Sequence, residues 1–390
     1  MGEAVSAAGA ATEILGRLVS FDTTSHRSNR ALIGYAEEYL RAHGVESRLT
    51  FGEEGRKANL HAIIGPRVAG GIALSGHTDC VPVENQAWAA DPFALRRKDG
   101  RLIGRGTTDM KGFLACCLAM VPEFVAEGLK RPVHLCFSFD EETTFAGAPV
   151  MIGALAESGP LPAACIVGEP TSMAPVIGHK GSRTWFASVR GVTGHSSRTD
   201  LTANALEAAA EAVAWLKAQA RWYRDHGRRA PGFDVPYSTV HCGVFRAGQV
   251  MNTVPDHAEF WFEMRGVPGD DPAALLDRLR AHVAERIEPE MRAVHPACGF
   301  TFTARMTCPA LDTPESHPLV TLVKRLSGHN GASRVAYGTE AGLFQDSGIP
   351  TVVCGPGHIA QAHQPEEWIA ESEIAACLAF LRRLARQLAD

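Results

Sequence analysis

Gly71-Ile72-Ala73-Leu74-Ser75-Gly76-His77-Thr78-Asp79 is the stretch that decides the fold class of this chain. A glycine opens it, a short apolar run follows, and a histidine and an aspartate close it. The run is continuous rather than alternating, as expected of a strand buried on both faces of a parallel sheet. Two later segments repeat the plan. Val133-His134-Leu135-Cys136-Phe137 leads to Asp140-Glu141-Glu142, and Ala164-Cys165-Ile166-Val167 leads to Gly168-Glu169-Pro170. In an open α/β sheet ligands bind outside the carboxyl ends of the strands, so polar clusters placed there converge on one crevice. Thr108-Asp109-Met110-Lys111-Gly112 and a late histidine in Gln361-Ala362-His363-Gln364-Pro365 complete the set. Carboxylates and imidazoles gathered in one crevice repel and desolvate one another unless positive charge sits among them. Two divalent metal ions answer that need.

Each cluster alone has a plainer reading. Asp79 can simply hold His77 in one tautomer, which is also what a carboxylate behind a metal-bound imidazole does. Asp109 can cap the apolar stretch that begins near Phe113. Glu141-Glu142 reads as a solvated loop, Glu169 before Pro170 as a turn residue, and His363 as a surface histidine. Five such clusters with matching flanks at strand ends favour the metal reading over five coincidences.

Gly76-His77-Thr78-Asp79-Cys80-Val81-Pro82, Gly104-Arg105-Gly106-Thr107-Thr108-Asp109-Met110-Lys111-Gly112, Asp140-Glu141-Glu142 and Val167-Gly168-Glu169-Pro170-Thr171 resemble the signature of the M20 family of dinuclear zinc amidohydrolases. The resemblance runs in order from about residue 10 to the C-terminus. Gln86-Ala87-Trp88, Asp91-Pro92-Phe93, Tyr337 to Phe344, Cys354-Gly355-Pro356-Gly357 and Ala362-His363-Gln364-Pro365-Glu366-Glu367 are most similar to members that act on N²-acetyl-L-ornithine. It implies a zinc-exopeptidase-like α/β catalytic domain with a mixed, mostly parallel sheet. It also implies that Asp109 bridges two ions, with His77 and Glu169 completing one site and Glu142 and His363 the other. Glu141 is then the general base, with Asp140 its nearest competitor, and Asp79 orients His77. Mixed imidazole and carboxylate ligands suit zinc, and cobalt or manganese are compatible with the same set. The implied reaction is hydrolysis of the amide of an N-acyl amino acid. A succinyl-diaminopimelate desuccinylase, an aminoacylase or a dipeptidase would share every ligand. A non-catalytic metal-binding scaffold on this fold is the rival of another class, and it would have no use for Glu141.

At 390 residues the chain exceeds one compact core, so two domains are expected. Between about residues 180 and 295 the texture changes. Leu201 to Gln219 is alanine-rich and helical in propensity, Ser238–Phe245 and His257–Arg265 read as strands, and Ala273 to Ile287 as a second helix. The expected organisation is a discontinuous catalytic domain, residues 1–179 and 296–390, interrupted by an α+β insert, residues 180–295. The resemblance makes this insert a ferredoxin-like dimerisation or lid domain. It also implies that His195, in Gly194-His195-Ser196-Ser197, stabilises the oxyanion in a partner subunit's site, although a histidine there also reads as a loop residue. Asn252, Arg265, Gly338 and Thr339 match positions that line the substrate pocket of relatives. An arginine would suit the substrate α-carboxylate, while an ion pair of Arg265 with Glu263 is the alternative. Glu340 is a charge-based candidate for the ornithine ammonium. His358, five residues before His363, is expected near the site without binding metal.

Hydrophobic residues make up 45% of the chain and charged residues 21%, an ordinary balance for a soluble globular protein. A net charge of −5 gives no reason to expect nucleic-acid or membrane partners. The ten cysteines show no C-x-x-C spacing, and several sit in apolar runs, which points to reduced thiols and a cytoplasmic protein. No apolar run is long enough to span a membrane, and the start lacks the pattern of a secretory signal. Met1-Gly2 with Ser6 formally matches a myristoylation pattern, which arises easily by chance.

Overall fold

The computed structural model describes residues 7–390, so the Met1-Gly2-Ser6 pattern lies outside the described residues. The described residues divide into two compact units: residues 7–178, 311–334 and 339–390 form the first, residues 179–310 and 335–338 the second.

The first unit is built on a mixed sheet. Its strand order is Ser47–Phe51, Ala58–Ile64, Val133–Ser138, Ile72–His77, Ala164–Pro170, Thr351–Gly355, Val176–His179, Leu311–Asp312. The middle four strands run parallel, and antiparallel strands flank them on both sides. The three apolar runs singled out in the sequence are thus central parallel strands, every residue of them buried. Leu74, Leu135, Phe137, Ile166 and Val352 share one core with helices Ala7–Val19, Gly112–Ala119, Pro318–Ser327 and Glu371–Ala389. Helices Gly147–Ser158 and Ala341–Asp346 pack on the sheet outside this core. There the alternate residues are polar: Ser75, His77 and Ser138 are fully buried. Gly168 must be glycine, because a Cβ would lie 2.1 Å from the Phe113 ring of the helix crossing the strand. That close approach sets the position of Glu169.

The second unit is a four-stranded antiparallel sheet in the order Thr239–Ala247, His257–Gly266, Gly181–Arg190, Gly299–Cys308. With helix Ala205–His226 after its first strand and helices Pro272–His282 and Glu288–Val294 before its last, it is a split β-α-β unit. Asn204 starts the long helix by accepting from the Leu206 and Glu207 amides at 3.0 and 3.3 Å. Trp185, Phe260 and Phe262 fill the core against the helix alanines and Leu275, Leu276 and Leu279. The unit extends to Ala310 rather than ending near residue 295, because Gly299–Cys308 pairs with Gly181–Arg190 from Arg190 back to Ser182. Among the described residues no helix is long and apolar enough to cross a membrane.

Candidate metal centre

Strand ends of the first unit carry the site. His77 is the last residue of its strand, Glu169 is the penultimate residue of Ala164–Pro170, and Glu141 and Glu142 follow Val133–Ser138 after two residues, Phe139 and Asp140. Asp109 lies just ahead of helix Gly112–Ala119 with non-helical backbone (φ −124°, ψ 91°), so it does not cap that helix. His363 sits in the loop after Thr351–Gly355.

Asp109 stands between the two imidazoles. Its Oδ1 is 2.9 Å from His77 Nε2 and its Oδ2 is 3.1 Å from His363 Nε2. His363 Nε2 is also 3.1 Å from Glu142 Oε2, and His77 Nε2 is 3.6 Å from Glu169 Oε1. Donor atoms of His77, Glu141 and Glu169 lie within 4.8 Å of one another, as do those of His77, Asp109 and Glu142. His77 Nδ1 donates to the backbone carbonyl of Asp79 at 3.0 Å, which leaves Nε2 as the ring atom that faces the carboxylates. Asp79 itself accepts from Ser25 Oγ at 2.7 Å and from the Glu141 and Glu142 amides at 3.2 and 3.3 Å. It therefore holds the turn that carries Glu141 and Glu142 as well as the imidazole.

The electrostatics follow from crowding. Burial, then the neighbouring Glu169 charge, pushes the Glu141 carboxyl well above the ordinary range. Burial and the charge of Asp109 raise Glu169 as well, and the same two causes bring Glu142 to about 7. Burial would lift Asp109 too, but hydrogen bonds from His363 and His77 outweigh it and hold the carboxyl far below normal. For His77 burial acts downward, yet the Asp109 and Asp79 contacts raise the imidazole well above its usual value. Hydrogen bonds to Asp109 and Glu142 raise His363 to about 10. Protons cannot satisfy all these groups at once. Glu169 Oε1 is buried with no hydrogen-bond partner, and an unshared oxygen there is the observation that fits a cation. The donor set, carboxylate oxygens and imidazole nitrogens, fits two divalent ions.

Asp140, the competitor for the base, is turned away. Its backbone has φ +59°, and its carboxylate pairs with Lys57 Nζ. His358 stays out of the cluster, its Nδ1 accepting from the Ala360 amide at 3.1 Å to cap a short turn. Two substrate candidates are buried. Glu340 is fully buried, its oxygens accepting from Ser75 and Ser138 hydroxyls at 2.6 Å each, so it ties together the two strands that lead to His77 and Glu141. Thr339 is 1% exposed and its hydroxyl accepts from the Ala341 amide at 3.1 Å. In the second unit Arg265 Nε donates to Glu263 at 3.1 Å, the ion pair named as its alternative. Exposed His195 accepts from Ser197 N at 3.2 Å, and exposed Asn252 lends its carbonyl to Ser196 N at 3.1 Å. A Cβ on Gly338 would lie 2.7 Å from Cys308 Sγ, so this position tolerates no side chain. Sequence reasoning missed Ser25 and Lys57, which lie outside every motif and carry no local signal.

Residues 73–387 match the family model described as Peptidase family M20/M25/M40. An acetylornithine deacetylase of Photorhabdus laumondii subsp. laumondii is 34% identical over 95% of this chain and 92% of its own length. One from Myxococcus xanthus is 36% identical over 95% of each. Among solved structures, an M20 family metallo-carboxypeptidase, Sso-CP2, from Sulfolobus solfataricus superposes with a TM-score of 0.77 over the full length of both chains at 17% identity, a likeness of fold. Family model, full-length relatives and fold agree, and the chain belongs to the M20 peptidase family.

Proposed function

We propose that this protein hydrolyses N²-acetyl-L-ornithine to L-ornithine and acetate, a step of arginine biosynthesis. The reaction class, metal-dependent hydrolysis of the amide of an N-acyl amino acid, comes with the family and with relatives aligned over nearly the whole chain. The identity of those relatives supports the ornithine substrate. The observation that carries the chemistry is Asp109 shared between His77 and His363, beside a buried Glu141 that the network of Asp79 holds in place. His77, Asp109 and Glu169 would hold one ion and Asp109, Glu142 and His363 the other, with zinc the first choice for both. Bound there, two ions lower the pKa of a water and polarise the substrate carbonyl.

The protein's own groups do the rest. Glu141 accepts the proton that the attacking water gives up as its oxygen bonds the acyl carbon. It returns that proton to the amine as the C–N bond breaks. Its burial suits this work, because desolvation makes a carboxylate a stronger proton acceptor. A homodimer is part of the same reading, in which His195 of one chain stabilises the oxyanion in the site of the other. The ten cysteines, all of them free thiols, support a reducing, cytoplasmic setting.

A panel of N-acyl amino acids, assayed for released acid with and without chelator, tests the proposal. We expect acetate release to be fastest from N²-acetyl-L-ornithine and to be abolished by the chelator. Faster turnover of a succinylated or dipeptide substrate would reassign the substrate.

A further inference from the structure

Gln86-Ala87-Trp88, Arg105 and Glu367 take part in no step above, yet they meet around two of the ligands, Asp109 and His363. Glu367 is 1% exposed, and every bond it makes grips the loop that presents Asp109. Its Oε1 accepts from the Thr108 and Asp109 amides at 2.9 and 3.1 Å, and its Oε2 from Gly106 N at 3.0 Å and Arg105 Nη1 at 2.7 Å. Arg105, itself fully buried, extends its other amino group to Gln86 Oε1. Trp88 Nε1 donates to the same oxygen at 3.1 Å. Neither partner can accept a hydrogen bond at these nitrogens, so they fix which end of the Gln86 amide is oxygen. The amide nitrogen is thereby aimed the other way, and it donates to the backbone carbonyl of His363 at 3.0 Å.

His363 needs such a hold. Its side chain is 48% exposed where that of Asp109 is 7%, and its backbone sits in the left-handed region (φ +60°) that a non-glycine residue keeps only when its surroundings impose it. A buried ion pair is a poor source of stability compared with apolar packing, but it fixes register well. Here the Arg105–Glu367 pair registers the Asp109 loop, and Gln86 ties the His363 loop to that same frame.

We propose that Gln86 is a positioning residue that sets the affinity of the metal position formed by His363 and Glu142. This rests on the reading of Asp109, Glu142 and His363 as metal ligands. Gln86→Glu separates the tether from the frame: the carboxylate keeps its bonds from Arg105 and Trp88 but has no proton for the His363 carbonyl. Gln86→Leu removes all three bonds.

Chelated protein titrated with Co²⁺ alone, followed by calorimetry and by the visible bands of the bound ion, tests the inference. Wild type should take up two ions. Gln86→Glu should bind the first with wild-type affinity and the second about 10–100-fold more weakly, the range found when a ligand loses its outer partner. Gln86→Leu should weaken the second ion at least as much, and the melting temperature of chelated Gln86→Glu should match wild type. If wild type binds fewer than two ions, the ligand reading itself fails and the inference goes with it. If wild type binds two and Gln86→Glu binds both normally, or loses both equally, the tether is overturned. Weakening in Gln86→Leu without weakening in Gln86→Glu also overturns it, since Gln86 would then serve only to pack Arg105.

Discussion

Asp140 and Glu141 are adjacent and alike in charge, and the chain separates them by one backbone angle. With φ +59° at Asp140 the turn sends that carboxylate to Lys57 and the next one into the cluster of Asp109, Glu142 and Glu169. Glu141→Gln keeps the shape and the metal content but cannot take a proton. We expect kcat to fall by roughly 10²–10⁴ with KM little changed, as for loss of a general base. Asp140→Asn should cost less than Glu141→Gln; steady-state kinetics that reversed this order would exchange the two roles. Asp109 carries a second expectation, since its two oxygens face different imidazoles. Elemental analysis should find Asp109→Ala depleted of both ions and His363→Ala mainly of one. At this scale the cluster of His77, Asp109, Glu141, Glu142 and Glu169 was legible in the motifs, because most of these residues follow apolar strands that end together. The surroundings of Glu340 were not legible, because a carboxylate beneath the sheet and one facing a ligand look the same in sequence, and its Ser75 and Ser138 partners lie 265 and 202 residues away along the chain.

The central strands were legible as continuous apolar runs because both faces are covered. Strand Gly299–Cys308 was not, since after Phe302 it is an exposed sheet edge and most of the remaining side chains face water. Strands Ala58–Ile64 and Val133–Ser138 also bury something that pattern reading passes over, a stacked pair of imidazoles. His61 and His134 have ring centroids 5.4 Å apart, with Nε2 of the first 3.2 Å from Nδ1 of the second. Burial lowers both to about 4, and for His61 the neighbouring His134, Arg67 and Arg48 charges add to it. Folded pKa values below the unfolded 6.5 mean that the unfolded chain binds more protons between pH 6.5 and 4. The stabilisation is complete above 6.5 and is lost as pH falls through this window, by about 3 kcal/mol for one such group. Urea unfolding of His61→Gln/His134→Gln should therefore show a shallower loss of stability from pH 7 to pH 4 than wild type. Parallel curves for the two proteins would show that the pair is protonated in the native state.

The chain assigns its chemistry unequally to two architectures. The first unit holds Glu141 and all five expected ligands, whereas His195, Asn252 and Arg265 lie on the second. Composition and the change of texture near residue 180 made the two units legible, but no local pattern reports which chain a residue serves. Association with a second copy is a property of surfaces rather than of motifs. If His195 acts on the site of a partner chain, activity requires a dimer, and two inactive variants should complement each other. His195→Ala supplies an intact base and ligand set; Glu141→Gln supplies an intact histidine. Random exchange between equal amounts makes about half the dimers mixed, each with one working site of two, so activity should recover to about a quarter of wild type. Subunit exchange has to be established separately, for example by mass-tagged copies of each variant. Once exchange is seen, recovery of activity above both parents supports action across the dimer. No recovery after exchange would assign His195 to its own chain or remove it from the reaction. Because the Glu141→Gln site lacks its base in every dimer, one working site per mixed dimer is the most that exchange can restore, whereas a histidine that merely aided association would leave His195→Ala active on its own at concentrations where it is dimeric.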